Sequence, residues 1–349
     1  MFKNCKKMGL SIRDLLILKE ITFEDLKGKT LIVDSFNLLY QFITTIRQRD
    51  GSPLKDSQGN VTSHLTGLFS RTSNLLQKGL KLGFVFDGKP PELKQKERER
   101  RISIKQEAEK KFKEAEKKGN IEEMKKYASR TSKLTSEMIE ESKELLKAFG
   151  LPIVQAACEG EAQVAYIVNK HDAFAGVSED YDTLLYGIPR LVKNLTISGR
   201  RKFGATYVSV KPHIINLSEN LNKLGIDNDQ LIALAMLVGT DYNPGGVKGI
   251  GPKNALKLVK EYGDDFDKLF KKVEWSKHFD FDWEEVYYLI KKMPVNKEYK
   301  LEWKEIDKSK IYELLVEKHD FSPERVKSNL EKLGKTEKEK KQKGLGEWF

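Results

Sequence analysis

Seven carboxylates stand at or just after short apolar runs of this chain. Asp34 ends LIVD, Asp87 ends FVFD, Asp180 and Asp182 follow in AGVSEDYD, and Asp241 closes LVGTD. Glu159 and Glu161 open EGEAQVAY, a run with helical periodicity. A single Asp after a strand is commonly a cap or turn former, and acids at a helix start are welcomed by the helix dipole. Seven such placements are hard to obtain from caps alone. If the apolar runs are strands of a parallel-type sheet, their carboxyl ends gather at one edge, and the acids converge on one crevice. Carboxylates gathered there repel one another unless cations neutralise them. Hard divalent ions with oxygen ligands fit this need, Mg²⁺ first and Mn²⁺ second. Two such ions about 3.5–4 Å apart activate water and stabilise the leaving oxygen of a phosphodiester. The chemistry expected is hydrolysis of nucleic acid.

The elements that must position these acids are legible in outline. KTLIVDSFNLLYQFITTIRQR (29–49) reads as a buried strand ending at Asp34, followed by an apolar-periodic helix. SHLTGLFSRTSNLLQKGL (63–80) reads as a helix, GFVFD (83–87) as a strand, and GKPPEL as a turn enforced by Pro90 and Pro91. MIEESKELLKAFG (138–150) and EGEAQVAYIVNK read as helices, and LPIVQ, AFAGV, PRLVKN and ATYVSV as strands. This alternation predicts an α/β fold with a mixed, mainly parallel central sheet flanked by helices. From residue 226 the pattern is mostly helical. Within it, GGVKGIGPKNALKLVKEYG (245–263) has a glycine turn that opens a helix at Pro252, a helix-hairpin-helix signal. Backbone N–H groups of Gly249–Gly251 can there face an anion, with Lys248, Lys253 and Lys257 favouring phosphate over a plain tight connection.

Residues 94–118 break the alternation. Seventeen of these 25 residues are charged, eleven positive and six negative, without Gly or Pro. Glu/Lys pairs and propensity allow a helix, but with little to bury it should project from the core. The whole chain has 63 Lys+Arg against 52 Asp+Glu, a formal charge of +11, together with 39% hydrophobic residues. A folded protein with a polyanionic partner is indicated. At ~100–200 residues per domain, 349 residues allow two domains or one large domain with appendages. Cys5 and Cys158 match neither a disulfide framework nor zinc spacing. The longest apolar stretch, LIALAMLVG (231–239), is about half of a ~20-residue membrane span. These features predict an intracellular protein without membrane attachment.

Together, VDSFNLLYQF, FVFDGKPPELK, EGEAQVAY, SEDYDTLLYG and GTDYNPGGVKGIGPK resemble the flap endonucleases, within the structure-specific 5′ nuclease superfamily. The resemblance runs from Met8 to Phe349. It implies cleavage of DNA 5′ flaps or nicks at single-strand/double-strand junctions in replication (Okazaki fragment maturation) and repair, with 5′–3′ exonuclease activity. By the same likeness, Asp34, Asp87, Glu159 and Glu161 match a first Mg²⁺ cluster and Asp180, Asp182 and Asp241 a second. Lys94 and Arg101 match residues that contact the scissile phosphate from the base of a helical arch. Tyr40 matches the residue on which a base stacks, while Arg47, Arg71, Glu159, Gly239, Asp241, Lys248, Gly249, Gly251 and Lys253 match DNA contacts. The loop RDGSPLKDSQGNVTSHL resembles the region that holds the 3′ end, and a K⁺ ion bridges the helix-hairpin-helix in the family. Gln342, Leu345, Trp348 and Phe349 match the box that binds a PCNA-type sliding clamp, after a lysine-rich run that reads as disordered.

The resemblance divides the chain into an N-terminal nuclease region (1–105), the arch and its connection (106–136, beginning near 92), an internal nuclease region (137–265) with the hairpin element at 245–257, a C-terminal helical region (266–333), and a flexible tail (334–349) with the clamp box at 342–349. The free protein is expected to be a monomer, in cytoplasm or nucleoid if prokaryotic and in the nucleus if eukaryotic. Met8-Gly9 fits the family's start, so MFKNCKK reads as an extension or a misassigned beginning. Ala157-Cys158 stands where Pro-Ser is usual, replacing a good N-cap with a poor one, and Glu179 stands where Gln is common. Competing readings are a 5′ exonuclease, a junction resolvase, an excision-repair nuclease, a clamp-tethered scaffold without catalysis, and an RNA nuclease. A scaffold would be expected to lack one or more of the seven acids, and none is lacking.

Overall fold

The computed structural model describes residues 10, 12–128, 131–196, 200–203 and 206–346. Its strands are β1 (Lys19–Glu20), β2 (Thr30–Asp34), β3 (Lys81–Phe86), β4 (Ile153–Gln155), β5 (Ala175–Val177), β6 (Arg190–Lys193), β7 (Arg200–Phe203), β8 (Thr206–Ser209) and β9 (His213–Asn216). Seven of them form one sheet in the order β1-β9-β6-β5-β2-β3-β4, while β7 and β8 pair separately. Neighbours from β6 through β4 run parallel, and β9 is antiparallel to both β6 and β1. The expected mixed, mainly parallel sheet is present. ATYVSV, however, joins the small β7–β8 ribbon instead of the main sheet, whose antiparallel edge comes from HIIN.

The helices are α1 (Ser35–Thr45), α2 (Ser63–Gln77), α3 (Gln95–Lys117), α4 (Ile121–Ala128), α5 (Ser136–Ala148), α6 (Gly160–Asn169), α7 (Leu217–Leu224), α8 (Asn228–Val238), α9 (Pro252–Tyr262), α10 (Phe266–Lys272), α11 (Trp283–Lys291), α12 (Lys308–Tyr312) and α13 (Pro323–Gly346). Because strand side chains alternate between faces, β2 sends Leu31 and Val33 into one layer and Ile32 into the other. The first layer packs α1, α2, α5, α12 and α13; the second packs α6, α8, α9, α10 and α11. Both faces of the sheet are covered, as a parallel sheet requires. Leu231–Leu237 of α8 are all buried, so the longest apolar run of the sequence is a core helix. No helix among the described residues is long and apolar enough to cross a membrane.

The segment 266–333 divides between the two layers. Between α11 and α12, residues 292–307 hold no helix, a departure from the mostly helical expectation. Pro294 stands in this stretch, and tertiary bonds fix it: Trp303 Nε1 donates to the Leu82 carbonyl at 2.8 Å, and Gln163 and Asn296 bond reciprocally. The charged run forms α3, which ends at Gly119 with φ 62° before α4 folds back. Ala108, Ala115 and Ala128 are buried, and α3 packs on α4 along this alanine seam. The lysine-rich run after Gly334 continues α13 to Gly346, where a flexible tail was expected. Lys, Glu and Gln are good helix formers, and this run contains no Pro. Gln342 and Leu345 fall on that helix, whereas Cys5, Met8, Gly9, Trp348 and Phe349 lie outside the described residues.

Candidate active site

The carboxylates gather where the parallel strands end. Asp34 closes β2 and caps α1: its Oδ1 accepts the Asn37 N–H at 3.2 Å, and its Oδ2 the Ser178 hydroxyl at 3.2 Å. Ser178 follows β5, and its oxygen accepts the Asp180 N–H at 3.1 Å. Asp87 follows β3 and accepts the N–H of Gly160, the first residue of α6, at 2.9 Å. A Cβ on Gly160 would stand 2.4 Å from that Asp87 oxygen, so only glycine permits the approach. The N-cap of α6 is Glu159, which makes no side-chain capping bond, and Asp87 serves the first N–H from another strand. Cys158 therefore replaces no cap. Its Sγ donates to the Lys89 carbonyl at 3.0 Å, and burial pushes the thiol up, as befits a packed small residue.

The arch foot reaches into the same place. Lys94 Nζ lies 2.8 Å from Glu159 Oε2 and 3.4 Å from Asp241 Oδ2. Arg101 Nη2 donates to Asp241 Oδ1 at 2.6 Å. Buried Glu97 accepts from Arg100 at 2.6 Å and from Arg101 Nε at 2.8 Å. On the other side, the Thr183 hydroxyl lies 3.4 Å from Glu161 Oε1.

Burial governs the protonation of this cluster. It pushes Asp34 up to about 6 and, with the charges of Asp34 and Glu159, Asp87 up to about 8. Asp180 is raised by burial and by Asp241. Glu161 and Asp182 are driven well above the ordinary range by burial, then by Asp180 and other neighbouring acids. Burial opposes the Lys94 ammonium, yet Glu159 and Asp241 outweigh it and hold the charge above its ordinary value. The acids thus lie within one another's field, with two basic side chains insufficient to balance them.

The donors fit divalent cations in chemistry: every ligand candidate is a carboxylate oxygen. Glu159 Oε1 and Asp182 Oδ1 are buried without any hydrogen-bond partner, and such orphaned charge asks for a cation. Among the described residues no three His, Cys, Asp or Glu side chains already stand as a finished coordination group. Lys94 and Arg101 engage Glu159 and Asp241 instead.

The other expected residues are spread around this centre. Tyr40 is half-buried on α1, with Lys105 of α3 5.0 Å from its ring centroid. Arg47 spends its guanidinium inside the protein, on the Thr44, Gly51 and Ile43 carbonyls and the Ser132 hydroxyl. In this structure it braces the end of α1. Arg71 is half-buried on α2. Gly239 ends α8 with φ 113°, and a Cβ there would meet the Gly246 nitrogen at 2.6 Å, so this glycine permits the hairpin to pack. Lys248, Gly249, Gly251 and Lys253 are exposed at the start of α9, with open space around both glycines.

The sequence carries the XPG N-terminal domain over residues 8–108 and the XPG I-region over residues 150–241. Flap endonuclease 1 of Staphylothermus marinus is 52% identical over 351 residues, covering 98% of this chain and 100% of that protein. The chain belongs to the flap endonuclease family. Among solved structures, flap endonuclease-1 from Methanococcus jannaschii matches with a TM-score of 0.75 at 44% identity, over 95% of this chain and 100% of that one. The catalytic core of Rad2 in complex with DNA substrate matches at 0.67 and 25% identity, over 92% and 97%. This flap endonuclease is a structure-specific nuclease acting on phosphodiester bonds, in a family that is metal-dependent.

Sequence reasoning passed over two residues of this flap endonuclease. Glu97 is hidden in a run where every charge looked solvated, although it is 3% exposed and holds two arginines. Lys193 ends β6 at 4% exposure beside the Asp180 segment; the one signal was a lysine in line with the apolar residues of PRLVKN.

Proposed function

We propose that this flap endonuclease hydrolyses one phosphodiester where a 5′ single strand leaves duplex DNA, leaving 5′-phosphate and 3′-hydroxyl ends, with 5′–3′ exonuclease action as a side reaction. The observation that carries this reading is the convergence of buried strand-end carboxylates with Lys94 and Arg101 at the foot of a basic helical hairpin. Asp34, Asp87, Glu159 and Glu161 hold one Mg²⁺, and Asp180, Asp182 and Asp241 a second, with Mn²⁺ able to substitute. When bound, such ions would supply an activated water and charge stabilisation at the leaving oxygen. Lys94 and Arg101 exchange carboxylate partners for the scissile phosphate and offset its developing charge. Tyr40 offers its ring to the adjacent base, a sequence-tolerant contact suited to selection by shape.

Two duplex arms need two platforms. Lys248, Gly249, Gly251 and Lys253 grip the backbone of one arm, where a K⁺ ion would help to neutralise phosphate, and Arg71 and the 49–65 loop, which Arg47 braces through the Gly51 carbonyl, meet the other. Gln342, Leu345, Trp348 and Phe349 bind a PCNA-type sliding clamp, which places the monomeric enzyme at intracellular replication and repair junctions.

The test is incubation with a 5′-labelled double-flap DNA, a matched single strand and a matched duplex, with Mg²⁺ or EDTA and an Asp182→Ala control. One junction-sized product, dependent on Mg²⁺ and absent from the variant, is expected. Equal cleavage of all three DNAs would overturn the assignment.

A further inference from the structure

The loop that carries Asp180 and Asp182 is short, and its own bonds hold it only in part. Asp180 Oδ1 accepts the Tyr181 N–H at 2.7 Å and the Asp182 N–H at a long 3.4 Å. What holds the loop from outside is a buried cation. Lys193, at the end of the neighbouring parallel strand β6, donates from Nζ to the main-chain carbonyl of Glu179 and stands 3.7 Å from the Tyr181 ring centroid. Both contacts fall on the residues flanking Asp180. The Glu179 carboxylate reaches back: its Oε1 accepts the Asn194 N–H at 2.6 Å, at a residue with φ 61°. Asn37 Oδ1 accepts the Glu179 N–H at 3.3 Å, tying the same loop to the start of α1 beside Asp34.

A lysine buried to this degree, with no carboxylate among the described residues at bonding distance of its ammonium, is costly and calls for a role. Burial works against its charge, while Glu179, Asp180, Glu161 and Asp182 favour it. We propose that Lys193 and Glu179 form a positioning pair that fixes the Ser178–Asp182 loop in the geometry needed to bind the second divalent cation. Neither residue is among the proposed metal ligands or DNA contacts. Lys193 holds the loop on both sides of Asp180, by the Glu179 carbonyl and the Tyr181 ring, and Glu179 locks the end of β6 from which Lys193 projects. The inference rests on the proposed assignment of Asp180 and Asp182 as metal ligands.

Two effects of opposite sign can be separated. As a mere positive charge near acids, Lys193 would weaken cation binding, and its removal would tighten it. As a positioning residue, its removal loosens the ligands and weakens binding, by about tenfold for loss of a supporting hydrogen bond behind a metal ligand.

The experiment counts Mn²⁺ bound to the full-length protein without DNA, by the loss of the free-ion paramagnetic resonance signal, for wild type, Lys193→Met, Lys193→Gln and Glu179→Gln. Single-turnover cleavage against Mg²⁺ concentration and thermal melting in EDTA accompany it. Wild type is expected to bind two ions. Lys193→Met should raise the half-saturating concentration of one of them about tenfold and shift the Mg²⁺ dependence of cleavage equally, with substrate KM unchanged. Lys193→Gln, which keeps a donor, should recover part of the loss. Glu179→Gln, which keeps an acceptor for Asn194, should show a smaller shift in the same direction. Tighter Mn²⁺ binding by Lys193→Met, or a lower melting temperature with unchanged binding, would overturn the positioning role. Wild type that binds no Mn²⁺ would overturn the metal assignment itself, a different outcome.

Discussion

Arg101, about two helical turns along the arch from Lys94, places its guanidinium 2.6 Å from the Asp241 carboxylate, which Lys94 also approaches. The hairpin is therefore moored to the acid cluster by the group proposed to meet the scissile phosphate. Arg101→Ala and Lys94→Ala should each lower the single-turnover rate by roughly a hundredfold or more, the cost of losing one charge-stabilising donor. KM for flap DNA should change much less. Unchanged cleavage with weakened binding would reduce both residues to substrate grip.

Metal removal should make stability depend on pH in an unusual direction. Asp34 at about 6 and Asp87 at about 8 lie above the ordinary carboxylate value of 3.8, so the folded protein holds protons that the unfolded chain releases. Below that ordinary value both states are protonated and burial carries no electrostatic penalty. As pH rises through the folded values the penalty appears and stability is lost. In EDTA the melting temperature should fall between about pH 4 and pH 8. Added Mg²⁺ should restore it at the high end and do little at the low end. Asp182→Asn should melt higher than wild type in EDTA at high pH while cleaving no flap. A melting temperature in EDTA that is flat or rising across this window would refute the account.

Glu97 is the arch's internal tether. Removing its charge by Glu97→Gln weakens the bonds to Arg100 and Arg101 without opening a cavity, so global melting should shift little. Amide exchange in α3 should rise several-fold, and flap cleavage should slow because Arg101 is less well aimed. Equal exchange in variant and wild type would show that the alanine seam with α4 suffices to order the hairpin.

How far the sequence reached depends on which force placed each residue. Asp34 and Asp87 were legible because LIVD and FVFD can be little else than buried strands, and a parallel sheet gathers their ends. The helix of the charged run was legible from propensity, its alanine seam was not, since three small residues make no periodic signal. β9 escaped because HIIN is short and follows a proline, and its place is decided by the vacant edge of β6. Residues 292–307 are held by tertiary bonds such as that from Trp303 to the Leu82 carbonyl, which no local pattern announces. Arg47 read as a DNA contact from resemblance, and the sequence could not show that the turn at Gly51 would engage its guanidinium. Lys193 and Glu97 were missed for one reason: a charged side chain is expected in water until its partners are seen.

The arch leaves the sheet at the end of β3 and returns at β4, and these two strands are direct parallel neighbours. Within this connection, the arch between Asp87 and the core helix α5 is a detour from a fixed point to an adjacent fixed point. Its length can therefore change over generations without shifting the register of any strand or moving any of the acids. The arch is free to vary in length, and the edge that carries the carboxylates is not. One catalytic edge can in this way be refitted to differently shaped nucleic acids by editing a single connection.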